Sequence, residues 1–109
     1  RDQFIASTST NGMLVSLGNT DWTITGNHFY QTATRTYSGS IIHYAINISS
    51  AGTNFTISNN FIGGGAESCG GTAWTLSPAS VQNRFIPIAC SVGTTTASNI
   101  QGNKIANIR

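Results

Sequence analysis

Three carboxylates, two imidazoles and two thiols are the groups in this 109-residue sequence with the widest chemical reach, as acids, bases, nucleophiles or metal ligands. Splitting a glycosidic bond takes two carboxylates facing one another across a groove, one of them held protonated to act as the acid. Asp2 stands at the chain start, Asp21 in a turn beside Trp22 and Glu67 in a glycine-rich loop, and no two share a strand column. Asp21 reads as a turn-former and Glu67 as a solvated loop charge. Calcium takes about 6 to 8 oxygens, usually with several carboxylates among them, and scattered acids do not make that set. His28 flanks a corner and His43 occupies an outward strand position, neither with a carboxylate partner, so both read as solvated side chains. Cys90 is expected inward as a small hydrophobe and Cys69 in the loop from Gly63 to Gly71. A disulfide between them requires that loop to fold over the core, and the sequence leaves the paired and free states open. No base is placed to raise the thiolate fraction of either. Catalytic residues, metals and cofactors are all expected to be none, and the sequence leans away from an enzyme.

Binding is the remaining chemistry. Tyr30, Tyr37 and Trp74 lie outside the firmest apolar columns, near Arg35 and the glycine-rich loop. They either offer aromatic platforms to sugar faces or fill a wall of the core, and the second is the simpler reading. Gly63-Gly64-Gly65 and Gly70-Gly71 are followed by neither the Lys-Ser or Lys-Thr nor the helix start of a phosphate-cradling loop, so this stretch reads as flexible. Asn47-Ile48-Ser49 and Asn54-Phe55-Thr56 match the glycosylation pattern, as chance allows in a chain this rich in Asn, Ser and Thr.

The elements that must position these groups follow a repeat. Ile-x-x-Asn-x-apolar occurs as Ile24/Asn27/Phe29, Ile57/Asn60/Ile62 and Ile100/Asn103/Ile105. The Asn residues are 33 and then 43 positions apart, so the core of the repeat is constant and a connecting loop varies, the extra length lying between Ile62 and Arg84. A strand residue, a polar corner and an apolar residue at fixed offsets describe one supersecondary unit stacked on itself. Elsewhere period two dominates: Met13, Val15 and Leu17, then Ile42, Tyr44, Ile46 and Ile48, then Ile86, Ile88, Cys90 and Val92. No sustained helical stripe competes with it.

Composition agrees. Hydrophobic residues make up 39% of the chain, enough for a core, while charged residues make up only 7%. Ser, Thr, Asn and Gly fill the gap, as suits an extracellular β-protein. The net charge of +2 comes from Arg1, Arg35, Arg84, Lys104 and Arg109. These are scattered and form no track along a phosphate backbone, which sets nucleic acid aside. No run nears the roughly 18 apolar residues of a membrane span.

The Asn-corner repeat resembles the coils of right-handed parallel β-helices, the pectate-lyase-like family, in which an Asn commonly sits at the corner between two short strands. The cadence Gly70-Gly71-Thr72-Ala73-Trp74-Thr75, with Ser91-Val92-Gly93-Thr94-Thr95-Thr96 and Ile100-Gln101-Gly102-Asn103, resembles large secreted bacterial surface proteins. The resemblance implies an all-β parallel solenoid of about three coils, approximately 13–40, 41–84 and 85–109. The calcium-holding acidic clusters of the family's lyases have no counterpart here. Inward ladders are expected as Val15/Ile46/Cys90, Leu17/Ile48/Val92, Ile24/Ile57/Ile100 and Phe29/Ile62/Ile105, with Trp22 over Phe55 and polar Ser98 departing from that column. Outward columns are expected as Leu14/Ala45/Ala89 and Ser16/Asn47/Ser91. The column Asn27/Asn60/Asn103 should bond amide to amide while taking the left-handed conformation of a tight corner. Pro87 removes a ladder donor and predicts a local bulge or break just before Ile88. Residues Tyr30 to Ser40 and Gly63 to Arg84 should make a third side, with Trp74 or Leu76 at the position of Tyr37.

No cap is visible at either end, and Arg1-Asp2-Gln3-Phe4-Ile5 reads like the tail of a preceding corner, so the sequence reads as a fragment of a longer array, truncated at both ends. The function so implied is a non-catalytic structural or adhesive segment of an exported bacterial cell-surface protein. A polysaccharide or another cell-surface component, and flanking coils of the same chain, are the expected partners. Two other readings stay open: part of a carbohydrate-active lyase or hydrolase whose catalytic coils lie outside this piece, and a carbohydrate-binding or phage-tail-type module.

Overall fold

A computed structural model of the chain describes residues 9–77 and 82–109. The readings made on Arg1 to Ile5, and on residues 78–81 of the long connection, lie outside the described residues. The strands are β1 (Thr10–Val15), β2 (Thr23–Thr25), β3 (His28–Phe29), β4 (Arg35–Thr36), β5 (Ile42–Ser49), β6 (Thr56–Ser58), β7 (Phe61–Ile62), β8 (Leu76–Ser77), β9 (Arg84–Ser91), β10 (Asn99–Gln101) and β11 (Lys104–Ile105). Among the described residues there is no α-helix, only a 3-10 turn at Glu67–Cys69.

Every pairing between these strands is parallel. The orders are β1-β5-β9, β2-β6-β10 and β3-β7-β11, with β4 on β8. The chain therefore makes three passes through the same three sheets. Strands of two or three residues do not stand alone; here each gains its neighbours from the passes above and below at a spacing of about 4.8 Å. Two columns follow the expected register: Ile24 on Ile57 on Ile100, and Phe29 on Ile62 on Ile105. The long connection also does as expected, since β4 and β8 supply a further wall. Leu76, however, pairs with Arg35, so neither Trp74 nor Leu76 takes the position of Tyr37.

The first sheet corrects the expected inward and outward columns and the places of Leu17 and Tyr44. Its inward columns are Met13/Ile46/Ile88 and Val15/Ile48/Cys90, one step from the sequence alignment, which matched strand ends to their turns. The 33-residue offset of the Asn corner governs β1 and β5 as well. Leu14 consequently pairs with Asn47, which pairs with Ala89, and Ser49 pairs with Ser91. Leu17 lies beyond β1 and is 79% exposed. The ladder skips Gly12, Ala45 and Pro87, one residue in each strand, and this is the break expected before Ile88. A Cβ on Gly12 would stand 2.7 Å from the Ala45 carbonyl oxygen, and Pro87 has no N–H to give. Alternation changes phase across this bend: His43 and Ala45 are buried before it, Ile46 and Ile48 after it. Tyr44, expected inward, is half-buried as a result.

The core is the middle pass. Ile46, Ile48, Ile57 and Ile62 are fully buried, and Phe55 is nearly so, with Val15, Ile24, Ala45 and Trp74 around them. Trp22 aligns with Phe55 through the bond from Thr56 N–H to Trp22 O, yet lies half-exposed with its indole N–H on Asn19. Ser98, the polar departure in that column, accepts the Phe55 N–H at 3.1 Å.

Candidate functional site

At the corner, the backbone turns on one left-handed residue per pass: Gly26 (φ 68°), Asn59 (φ 55°) and Gly102 (φ 62°). The ladder Asn is the next residue, so the strained conformation expected of it belongs to its neighbour. Freed from that task, the Asn side chains point along the stack. Asn27 Nδ2 donates to Asn60 Oδ1 at 3.0 Å, and Asn60 Nδ2 donates to Asn103 Oδ1 at 2.9 Å. Each acceptor oxygen also takes the backbone N–H of the preceding ladder Asn, at 3.0 Å in both cases. Asn60 Nδ2 further reaches Ile24 O, and Asn103 Nδ2 reaches Ile57 O. A fully buried Asn60 is stable there because both its amide and its backbone N–H are satisfied.

Asp21 lies on a second outward corner, where its Oδ1 accepts Asn54 Nδ2 at 2.7 Å and both residues have positive φ. That is a turn role. Glu67 begins the 3-10 turn over β3 and β7, and among the described residues no three His, Cys, Asp or Glu side chains gather.

The glycine-rich loop is strapped down rather than flexible. Gly65 and Ala66 N–H groups share Gly70 O, and Asn107 Nδ2 reaches the carbonyls of Cys69, Gly70 and Gly71. A side chain on Gly63 or Gly64, both at positive φ, would collide with the carbonyl oxygen of Ala106 or of Gly70. His28 anchors the loop from below: its ring stacks on Phe61 at 4.8 Å, and its Nδ1 accepts the Ser68 N–H at 2.9 Å. Both cysteines are free. Cys69 is buried under the loop with its thiol toward Lys104 O; Cys90, though on an inward column, is exposed because nothing described covers the outer side of β9.

His43, expected at the surface, is 2% exposed. Its Nδ1 shares a hydrogen bond of 2.7 Å with Thr10 Oγ1, and the Tyr37 ring lies 3.9 Å away. Burial pushes the imidazole pKa down, Asn83 opposes this and Arg35 adds to it. The Tyr37 phenol is pushed up by its own burial, with Arg35 opposing. Trp74, 5% exposed, packs on Phe85 and carries the Arg35 guanidinium 5.5 Å from its ring centre. Tyr37 and Trp74 thus fill the wall, and of the aromatic trio only Tyr30, 39% exposed, faces solvent.

The third wall also carries a groove of about 490 Å³ that the sequence reading missed. Gln31, Thr32, Thr34, Thr72, Thr75 and Arg109 line it. All three passes build it. Gln31 N–H donates to Gly64 O, Trp74 N–H to Asn107 O, and Arg109 N–H to Trp74 O. Gln31 follows the Asn-corner offsets, standing in column with Gly64 and Asn107, and extending the alignment past the Phe29 column would have found it. With this geometry in hand, comparison with models of known families, with curated proteins and with solved structures finds no match to the chain.

Proposed function

We propose that the three passes are successive coils of a right-handed parallel β-helix, and that the chain is a non-catalytic structural and adhesive segment of a protein exported to the bacterial cell surface. One observation carries this reading. Asn27, Asn60 and Asn103 bond amide to amide in a single column, which requires passes stacked one strand apart. The scarcity of charge on the outside supports it too.

A stack of this kind grows by adding rungs. On the third pass Ile100, Ile105 and Ile108 are exposed, and among the described residues Asn103 N–H and its second amide hydrogen have no acceptor. Asn103 itself provides that acceptor to Asn60. A further coil of the same pattern would cover the isoleucines and offer its own Asn Oδ1, so flanking coils of the same chain are the partner this face fits. The full reading frame tests the proposal: an export signal, further Ile-x-x-Asn-x-apolar rungs and a surface-anchoring domain are expected. Carboxylates aligned on one outward face of neighbouring coils would move the assignment to a polysaccharide lyase or hydrolase, and a frame without further rungs would overturn it.

A further inference from the structure

The strained part of the glycine-rich loop is held by a titratable ring. Ser68 and Cys69 stand side by side in the left-handed region, at φ 58° and 62°. That conformation is costly for any residue with a side chain and persists where the surroundings enforce it. Among the described residues, two hydrogen bonds tie this turn to the strands beneath: Ser68 N–H to His28 Nδ1 at 2.9 Å, and the Cys69 thiol to Lys104 O at 3.6 Å. The other fastenings, from Asn107 and within the loop, act on the carbonyls of Cys69, Gly70 and Gly71 and leave the Ser68 N–H untouched. His28 is exposed, so protons reach it, and its ring lies within 16° of parallel to that of Phe61.

Nδ1 accepts the Ser68 N–H only while it carries no proton, which the neutral ring allows by keeping its hydrogen on Nε2. A protonated ring donates from both nitrogens, so one N–H would face another at hydrogen-bond distance. The charged ring keeps its place, because a cation over the Phe61 face is still favourable, and the turn is what yields. We propose that His28 is a proton-operated latch. With the ring neutral the Glu67–Cys69 turn is pinned over β3 and β7; with the ring protonated, in the range where histidine gains its charge, the turn is released and the buried Cys69 thiol is freed. The titratable groups on the elements packed against His28 are Glu67 and Cys69 of the turn, while Lys104 lies beyond Phe61 in the same column and Tyr30 follows β3. Release brings the Glu67 carboxylate to the charged ring, and this pair offsets the lost bond. The device rearranges the turn and leaves the stability of the fold unchanged, and it stands apart from the scaffold reading.

The test is an NMR pH titration of the isotopically labelled 109-residue chain carrying Cys90→Ser. The His28 ring and the Ser68 amide are followed together, and the Cys69 thiol is timed with dithiodipyridine relative to free cysteine under the same conditions. The Ser68 amide should track the His28 ring, and the relative thiol rate should rise about tenfold across the same interval, the loss of roughly one hydrogen bond. His28→Asn sets an amide oxygen where Nδ1 stood; it accepts the same N–H and takes no proton, so the turn should stay pinned throughout. His28→Phe keeps the stacking and accepts nothing, so the thiol should be fast throughout. A Ser68 amide indifferent to the His28 ring, a thiol rate unchanged by pH, or a His28→Asn variant as responsive as the parent would each overturn the latch. Such a failure leaves the scaffold standing, because the scaffold is judged by the reading frame and by the stability of the Asn column.

Discussion

Ile57 and Ile62 of the middle pass are fully buried, whereas Ile100 and Ile105, registered directly upon them, are each 49% exposed. The residue types, strands and corner are the same. What differs is coverage: the middle pass has a neighbour on both sides, and among the described residues the last pass has one on a single side. Burial in such a molecule belongs to the position in the stack and not to the residue. The same contrast holds for polar groups, since among the described residues Asn60 takes part in six hydrogen bonds of the corner and Asn103 in three.

The largest break in this contrast should come from the corner itself. Asn60→Ala strands the Ile24 carbonyl and the Asn27 donors in a buried setting, at a cost of about 4 kcal/mol by the usual penalty for unmet groups. Asn103→Ala strands the Ile57 carbonyl and the Asn60 donors, which are at least as buried, and should cost about as much although Asn103 itself lies on the open face; urea unfolding of the two variants against the parent measures both. Next comes the apolar pair. Ile57→Ala should lose about 3 kcal/mol as a buried cavity, and Ile100→Ala about 1 kcal/mol as a half-exposed side chain. Equal losses would mean that position in the stack does not govern burial.

The smallest effect is a pH dependence confined to the covered column Thr10/His43/Phe85. Thr10, Tyr37, Asn83 and Arg35 act on the His43 ring, with no carboxylate among them. Its folded pKa is depressed, so its contribution to stability is fully present above the unfolded value of about 6.5. As pH falls from there toward the folded pKa, the unfolded chain takes up the proton first and stability is lost. A series of urea midpoints between neutral and mildly acid pH should show this loss in the parent and not in His43→Phe.

Much of this was legible in the sequence. The offsets of 33 and 43 residues between Asn corners give the registers of the second and third sheets and foretell parallel stacking. In the first sheet, matching strand ends to their turns shifts the columns by a rung, and a count by twos gives the wrong burial because it runs through the bend at Gly12, Ala45 and Pro87 as if the strand were straight. His43 changed from outward to buried for the same reason. The sequence places Cys90 inward in line with Val15, as found, but with Ile46 where Ile48 stands, and it does not show that Cys90 is exposed, since a column does not reveal which of its members is last. The groove was hidden because Gln31, Thr75 and Arg109 are far apart in sequence and meet only where three passes converge.

The stacked Asn column is the centre of the account, and side-chain amide hydrogen exchange reads it rung by rung. The Asn60 amide protons should exchange only on global unfolding, those of Asn103 orders of magnitude faster, because the Asn60 amide has both its acceptors and the Asn103 amide has one. If the Asn60 amide exchanged as freely as that of Asn103, the column would not be stacked as described, and the scaffold built on it would fall.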